Sequence, residues 1–104
     1  MDAPMKFVQI IDYETDRIEE MQAMGRRAEE QFAGRTDGPT HRMVLRDRSN
    51  PDRYLVVIEF DSYEEAMRNS GDPETGKFAE RMAALCTKAP TFTDCDLVDV
   101  TELK

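Results

Sequence analysis

The chain of 104 residues carries one histidine, His41. It is the only side chain whose ordinary titration lies near neutrality, so proton transfer at physiological pH points to it first. It stands in the alternating run Thr40 to Asp47, sharing a face with Met43 and Leu45, while Arg42, Val44 and Arg46 take the other. Arg53 to Asp61, RYLVVIEFD, has strong strand composition, and Ser49-Asn50-Pro51-Asp52 between the two runs is dense in turn formers. A hairpin centred near Asn50 sets His41 opposite Glu59, Met43 opposite Val57 and Leu45 opposite Leu55. Glu59 would then orient the imidazole as a general base or hydrogen-bond donor, and Met43 and Val57 would supply an apolar wall. A solvated, inert histidine at a strand edge has the same signature.

A second polar group interrupts a helix. Ser62-Tyr63-Glu64-Glu65 has the form of a capping box. Its helix runs to about Asn69 and breaks at Ser70-Gly71-Asp72. Asp72 then caps a helix from Pro73 to about Cys86, with proline at the first position, where its missing N–H costs nothing. Asn69 and the free N–H groups at this restart could hold a ligand oxygen; capping alone also explains Asp72 and Pro73. Phe78 and Met82 lie on the apolar face of the last helix. With Met21 and Met67 they suit either a pocket for a planar apolar ligand or plain core packing.

Other chemistries have no support in the residues. There is no glycine-rich phosphate loop and no dinucleotide fingerprint. His41, Cys86 and Cys95 are the only soft ligands, and their spacing matches no zinc site, so neither metal nor organic cofactor is expected. The 14 basic and 22 acidic residues give a net charge of -8, which disfavours nucleic acid as a partner. No apolar run is long enough for a membrane span, and Met1-Asp2-Ala3-Pro4 does not open a signal peptide, so the cytoplasm is the expected compartment.

The elements that must position these residues read β-α-β-β-α-β. Met5 to Asp12 is a strand, apolar on both faces. Thr15 or Asp16 caps a helix carrying Ile18, Met21, Ala28 and Phe32 on one stripe and ending near Phe32. A polar loop covers Arg35 to Pro39. The last strand starts at Phe92 or Cys95 and reaches Val100. This order predicts an α+β, ferredoxin-like fold: a four-stranded antiparallel sheet with the helices on one face, in one domain spanning residues 1–104. Helices cover only one side of strands that are apolar on both, so the open face predicts a homodimer built sheet against sheet.

The stretch EFDSYEEAMRNSGDPETGKFAERMAAL, followed by PTFTDCDLVDV, resembles the antibiotic-biosynthesis-monooxygenase-like family of the dimeric α/β-barrel superfamily. The resemblance implies a homodimer whose sheets form a central barrel, with a pocket between each sheet and its helices. It also implies oxidation of a phenolic, quinol or polyketide-like aromatic by dioxygen without flavin or metal. In many relatives the position matching Asn69 holds His or Trp and faces the pocket. Asn69 can bond a substrate oxygen but cannot act as a base at neutral pH. On this reading His41 takes a proton, Asn69 and Tyr63 position substrate oxygens, and Met43, Val57, Glu59, Phe78 and Met82 complete the site. Binding of a small apolar or aromatic ligand without turnover, or isomerisation, are the other activities the same pocket would serve.

Overall fold

A computed structural model describes residues 5–34 and 38–104, apart from the side chain of Phe32. Most of the expected Arg35–Pro39 loop, and the place of Phe32 on the helical stripe, lie outside the described residues. The elements are β1 (Phe7–Glu14), α1 (Ile18–Phe32), β2 (His41–Arg46), β3 (Arg53–Phe60), α2 (Tyr63–Ser70), α3 (Pro73–Leu85) and β4 (Thr91–Asp96). The strands form one antiparallel sheet in the order β2-β3-β1-β4, the ferredoxin-like arrangement.

Two-residue alternation sorts the side chains. Phe7, Ile11 and Tyr13 of β1 and Tyr54, Val56 and Phe60 of β3 point to the helices. There they pack with Met21 and Met24 of α1, Ala66 of α2 and Met82 of α3. Tyr13 and Tyr54 stack with ring centroids 5.6 Å apart. Gly25 is buried where α1 passes over Arg42, and an added Cβ would lie 3.3 Å from the guanidinium Nη1. That close approach lets Arg42 reach Glu29 on the same helix and form an ion pair.

Val8, Ile10, Leu55 and Val57 point the other way and are half-buried, and Met43 and Leu45 beside them are exposed. Arg53 ties one end of this outer face, donating to both oxygens of Asp12 (3.1 and 2.7 Å) and to Asp47 (2.9 Å). The paired guanidinium holds the Asp12 carboxyl below the usual carboxylate range.

The hairpin has the expected register, with His41 opposite Glu59, Met43 opposite Val57 and Leu45 opposite Leu55. Three boundaries differ from expectation. Strand β1 lies two residues further along, because Tyr13 is needed in the core and Glu14 pairs with Arg53 at the start of β3. Strand β4 ends at Asp96, opposite Phe7, the first residue of β1. One more bond follows, Leu97 N–H to the Lys6 carbonyl (2.9 Å), and Val98 and Val100 are left exposed rather than paired. Helix α1 starts after Arg17 without a side-chain cap.

Neither Thr15 nor Asp16, the two expected caps, takes that place, and Thr15, 1% exposed, joins two elements instead. Its hydroxyl donates to the Leu85 carbonyl at the end of α3 (2.6 Å) and accepts from the Arg17 N–H (3.0 Å). Thr15→Val keeps the shape and strands both partners. Urea denaturation should show a loss of about 1–3 kcal/mol, the usual cost of buried groups left unbonded; an unchanged midpoint would show that water satisfies them.

Candidate functional site

A cavity of about 500 Å³ lies between the helix-facing side of the sheet and the helices. Its floor is Phe7, Gln9 and Ile11 of β1 with Ile58 and Phe60 of β3, and Phe92 of β4 extends it to one side. Phe78, Ala79 and Met82 of α3 form the wall. The helix break brings Asn69 and Ser70 to the lining, and Thr75 and Gly76 follow from the first turn of α3. The break is built as the sequence suggests. Ser62 Oγ accepts from Glu65 N–H (3.2 Å) to start α2, and Asp72 accepts from Glu74 N–H (2.9 Å) to start α3. Across the cavity, Glu29 and Arg42 add an ion-paired rim, and Gly38 to His41 complete the border.

The sheet separates the expected site residues into two groups. Asn69, Phe78 and Met82 line the cavity. Met43, Val57 and Glu59 share the outer face by alternation and are not among the lining residues, so they build no common wall with Phe78 and Met82. Tyr63 is exposed and lies edge-on to Phe7, with ring centroids 5.6 Å apart, outside the lining. Met67, on the sequence stripe, is also outside it. His41 belongs to both groups: it pairs with Glu59 on the outer face and borders the cavity at the start of β2.

His41 Nδ1 lies 2.6 Å from Glu59 Oε2. A carboxylate only accepts, so Nδ1 carries the proton and Nε2 is the nitrogen available as a base. The Thr40 hydroxyl donates to the same Glu59 oxygen, and Lys6 Nζ approaches it to 4.0 Å. These donors, Thr40 first and His41 next, hold the Glu59 carboxyl below the ordinary glutamate range. The His41 side chain keeps 76% of its surface exposed, against 18% for Glu59. Among the described residues, no group of three or more His, Cys, Asp or Glu side chains is placed to hold a metal ion. No described helix is long and apolar enough to cross a membrane.

Several cavity residues escape sequence reasoning. Phe7, Ile58 and Phe60 have the composition of ordinary strand residues, and Phe92 stands only at the start of a strand. Gln9 did leave a signal, as the one polar side chain in the apolar run FVQII.

Solved structures share this architecture. A protein of Nitrosomonas europaea called a "putative antibiotic biosynthesis monooxygenase" superposes with a TM-score of 0.76 at 14% identity, covering 98% of this chain and 99% of that one. One of the same description from Caulobacter crescentus gives 0.78 at 12% identity, with 92% of each chain covered. SnoaB, a cofactor-independent oxygenase from Streptomyces nogalater, gives 0.71 at 16% identity over 95% of this chain and 97% of its own. Neither a family model nor a curated sequence matches. At these identities the shared property is the ferredoxin-like fold, preserved across nearly the whole of each chain.

The depressed Glu59 carboxyl has a consequence for stability. A carboxylate whose titration is lower in the folded than in the unfolded chain stabilises the fold above the unfolded value. That contribution disappears as pH falls through the folded value. Urea midpoints should therefore fall with pH below about pH 4.3, and Glu59→Gln should flatten that slope while leaving the Asp12 contribution. Equal slopes for the two proteins would show that the Thr40–His41–Glu59 cluster does not hold in solution.

Proposed function

We propose that this chain is an antibiotic-biosynthesis-monooxygenase-like protein, acting as a homodimer and oxidising an oxygen-bearing aromatic held between its sheet and helices. The observation that carries the reading is the cavity of about 500 Å³ with His41 at its border. The likeness to SnoaB over 95% of this chain supports the same kind of chemistry. Phe78 and Met82 offer flat, adaptable contacts to a ring system. Asn69 offers both amide donors and an acceptor to ligand oxygens.

The reaction asks little of the protein. His41 Nε2 takes a proton from an acidic C–H or phenol, and Glu59, bound to Nδ1, stabilises the imidazolium that results. The substrate carbanion passes its electrons to dioxygen, a carbon–oxygen bond forms, and the hydroperoxide loses water. A methylene plus dioxygen thus becomes a carbonyl plus water, and the proton on His41 leaves with that water. Tyr63 stands outside the lining and has a part here only through its packing on Phe7.

The partner is a second copy of the chain. Val8, Ile10, Leu55, Val57, Met43 and Leu45 make an apolar centre on the outer face, flanked by the Arg53–Asp12 and His41–Glu59 groups. Two such faces packed together would remove this surface from water, at about 25 cal/mol for each Å². Met43 and Val57 take their role there. Val57→Asp, at the centre of the face, should halve the mass seen by sedimentation velocity; a dimer that persists would place the contact elsewhere.

A second reading has its own support: among the described residues, the charged side chains on the lining besides the exposed ring of His41 are the ion-paired Glu29 and Arg42, a set suited to binding without turnover. Oxygen uptake separates the two. With an anthrone as probe, the wild type should consume dioxygen, and His41→Ala should slow it about a hundredfold or more, the scale of general-base loss. An unchanged rate removes His41 from the mechanism. Binding without uptake establishes the second reading, and product formed anaerobically would mean isomerisation.

A further inference from the structure

Gln9 breaks the pattern of its strand. It sits on the helix-facing side of β1, between Phe7 and Ile11, at the middle of a four-stranded sheet. Alternation calls for an apolar residue there, and a half-buried amide at such a position needs partners. Its neighbour on β3 is Ile58, which offers none through its side chain. Its neighbour on β4 is Asp94, and Gln9 Nε2 donates to Asp94 Oδ1 at 3.1 Å.

This bond fixes the amide. A carboxylate accepts and cannot donate, so only the nitrogen of Gln9 can face Asp94. The carbonyl oxygen is thereby committed to the other side. It has no hydrogen-bond partner among the described residues, and Gln9 lines the cavity floor. We propose that Gln9, held by Asp94, is the specificity-determining residue of the cavity and selects aromatic ligands that present a hydroxyl or N–H donor to its carbonyl oxygen.

The inference rests on the cavity being the ligand site. The chemistry is one of acceptors: a ligand covering Gln9 without a donor leaves its carbonyl desolvated and unbonded, whereas a phenol or aryl N–H satisfies it. Asp94 is a positioning residue, since it acts through the amide.

The test uses the full-length protein with 2-naphthol and naphthalene as probes, followed by fluorescence or calorimetry. The wild type should bind 2-naphthol about tenfold tighter, the scale of one hydrogen bond left unmade. Gln9→Leu should erase that preference while naphthalene binds as well or better. Gln9→Met, close in size and without the carbonyl, should do the same and covers the case of a misfolded leucine variant. Asp94→Ala should narrow the preference with Gln9 still present, which a merely structural role would not do. Equal binding of both probes by the wild type, or a preference that survives in both Gln9 variants, overturns the inference and leaves the cavity reading intact. Failure of both probes to bind the wild type overturns both.

Discussion

Everything in this molecule depends on the pairing of β1 with β3. The two strands run antiparallel along their full lengths, from Phe7 opposite Phe60 to Glu14 opposite Arg53. That register puts Phe7, Ile11 and Tyr13 on the same side as Tyr54, Val56 and Phe60, so the helices find a continuous apolar platform. A shift of one residue would present Val8, Ile10 and Asp12 to the helices instead, and the platform would carry a charge. The ends of the pairing are locked by different chemistry. Aromatic packing of Phe7 with Phe60 holds one, and the Arg53 fork on Asp12 holds the other.

The same alternation decides the character of each face. On the helix side, large side chains leave a cavity rather than filling it. The break between α2 and α3 stops that wall from being wholly apolar, because Asn69, Ser70 and Thr75 come to the lining at the break. On the outer side the centre is apolar and both flanks are ionic. Charges at the rim of such a face orient and align an approaching surface more than they bind it, since exposed ion pairs contribute little on their own. The Thr40–His41–Glu59 cluster sits where the two environments meet, at the start of β2.

The fold was legible because each level of the sequence agreed with the next. RYLVVIEFD alternates cleanly, Ser49 to Asp52 turns, and together they set the hairpin register that places Glu59 against His41. The capping residues Ser62 and Asp72 marked both helix starts that flank the break. Strand ends were harder to read. Where β4 stops depends on where β1 begins, and TFTDCDLVDV carries no sign of that within itself. The candidate site was half legible. Helical spacing identified Phe78 and Met82, and turn chemistry identified Asn69. Which face of the hairpin met the helices was not written in the hairpin, because Met43 and Val57 are as apolar as Val44 and Val56. The choice is made by contacts between elements: Tyr54 and Val56 cluster with Met21, Met24 and Met82, and Phe60 with Phe7 and Ala66.

Because neighbouring positions on β1 meet different surroundings, the strand has a particular capacity for change over generations. A substitution at position 9 alters what the cavity meets, and one at position 8 or 10 alters the opposite side. The two properties can therefore drift independently, one nucleotide change at a time. Gain or loss of a residue within the strand is another matter, since it would exchange both sets at once. Length changes are absorbed most easily in connections such as 47–52, whereas single replacements in the strands alter one face at a time. The same architecture is seen in solved structures only 12–16% identical to this chain.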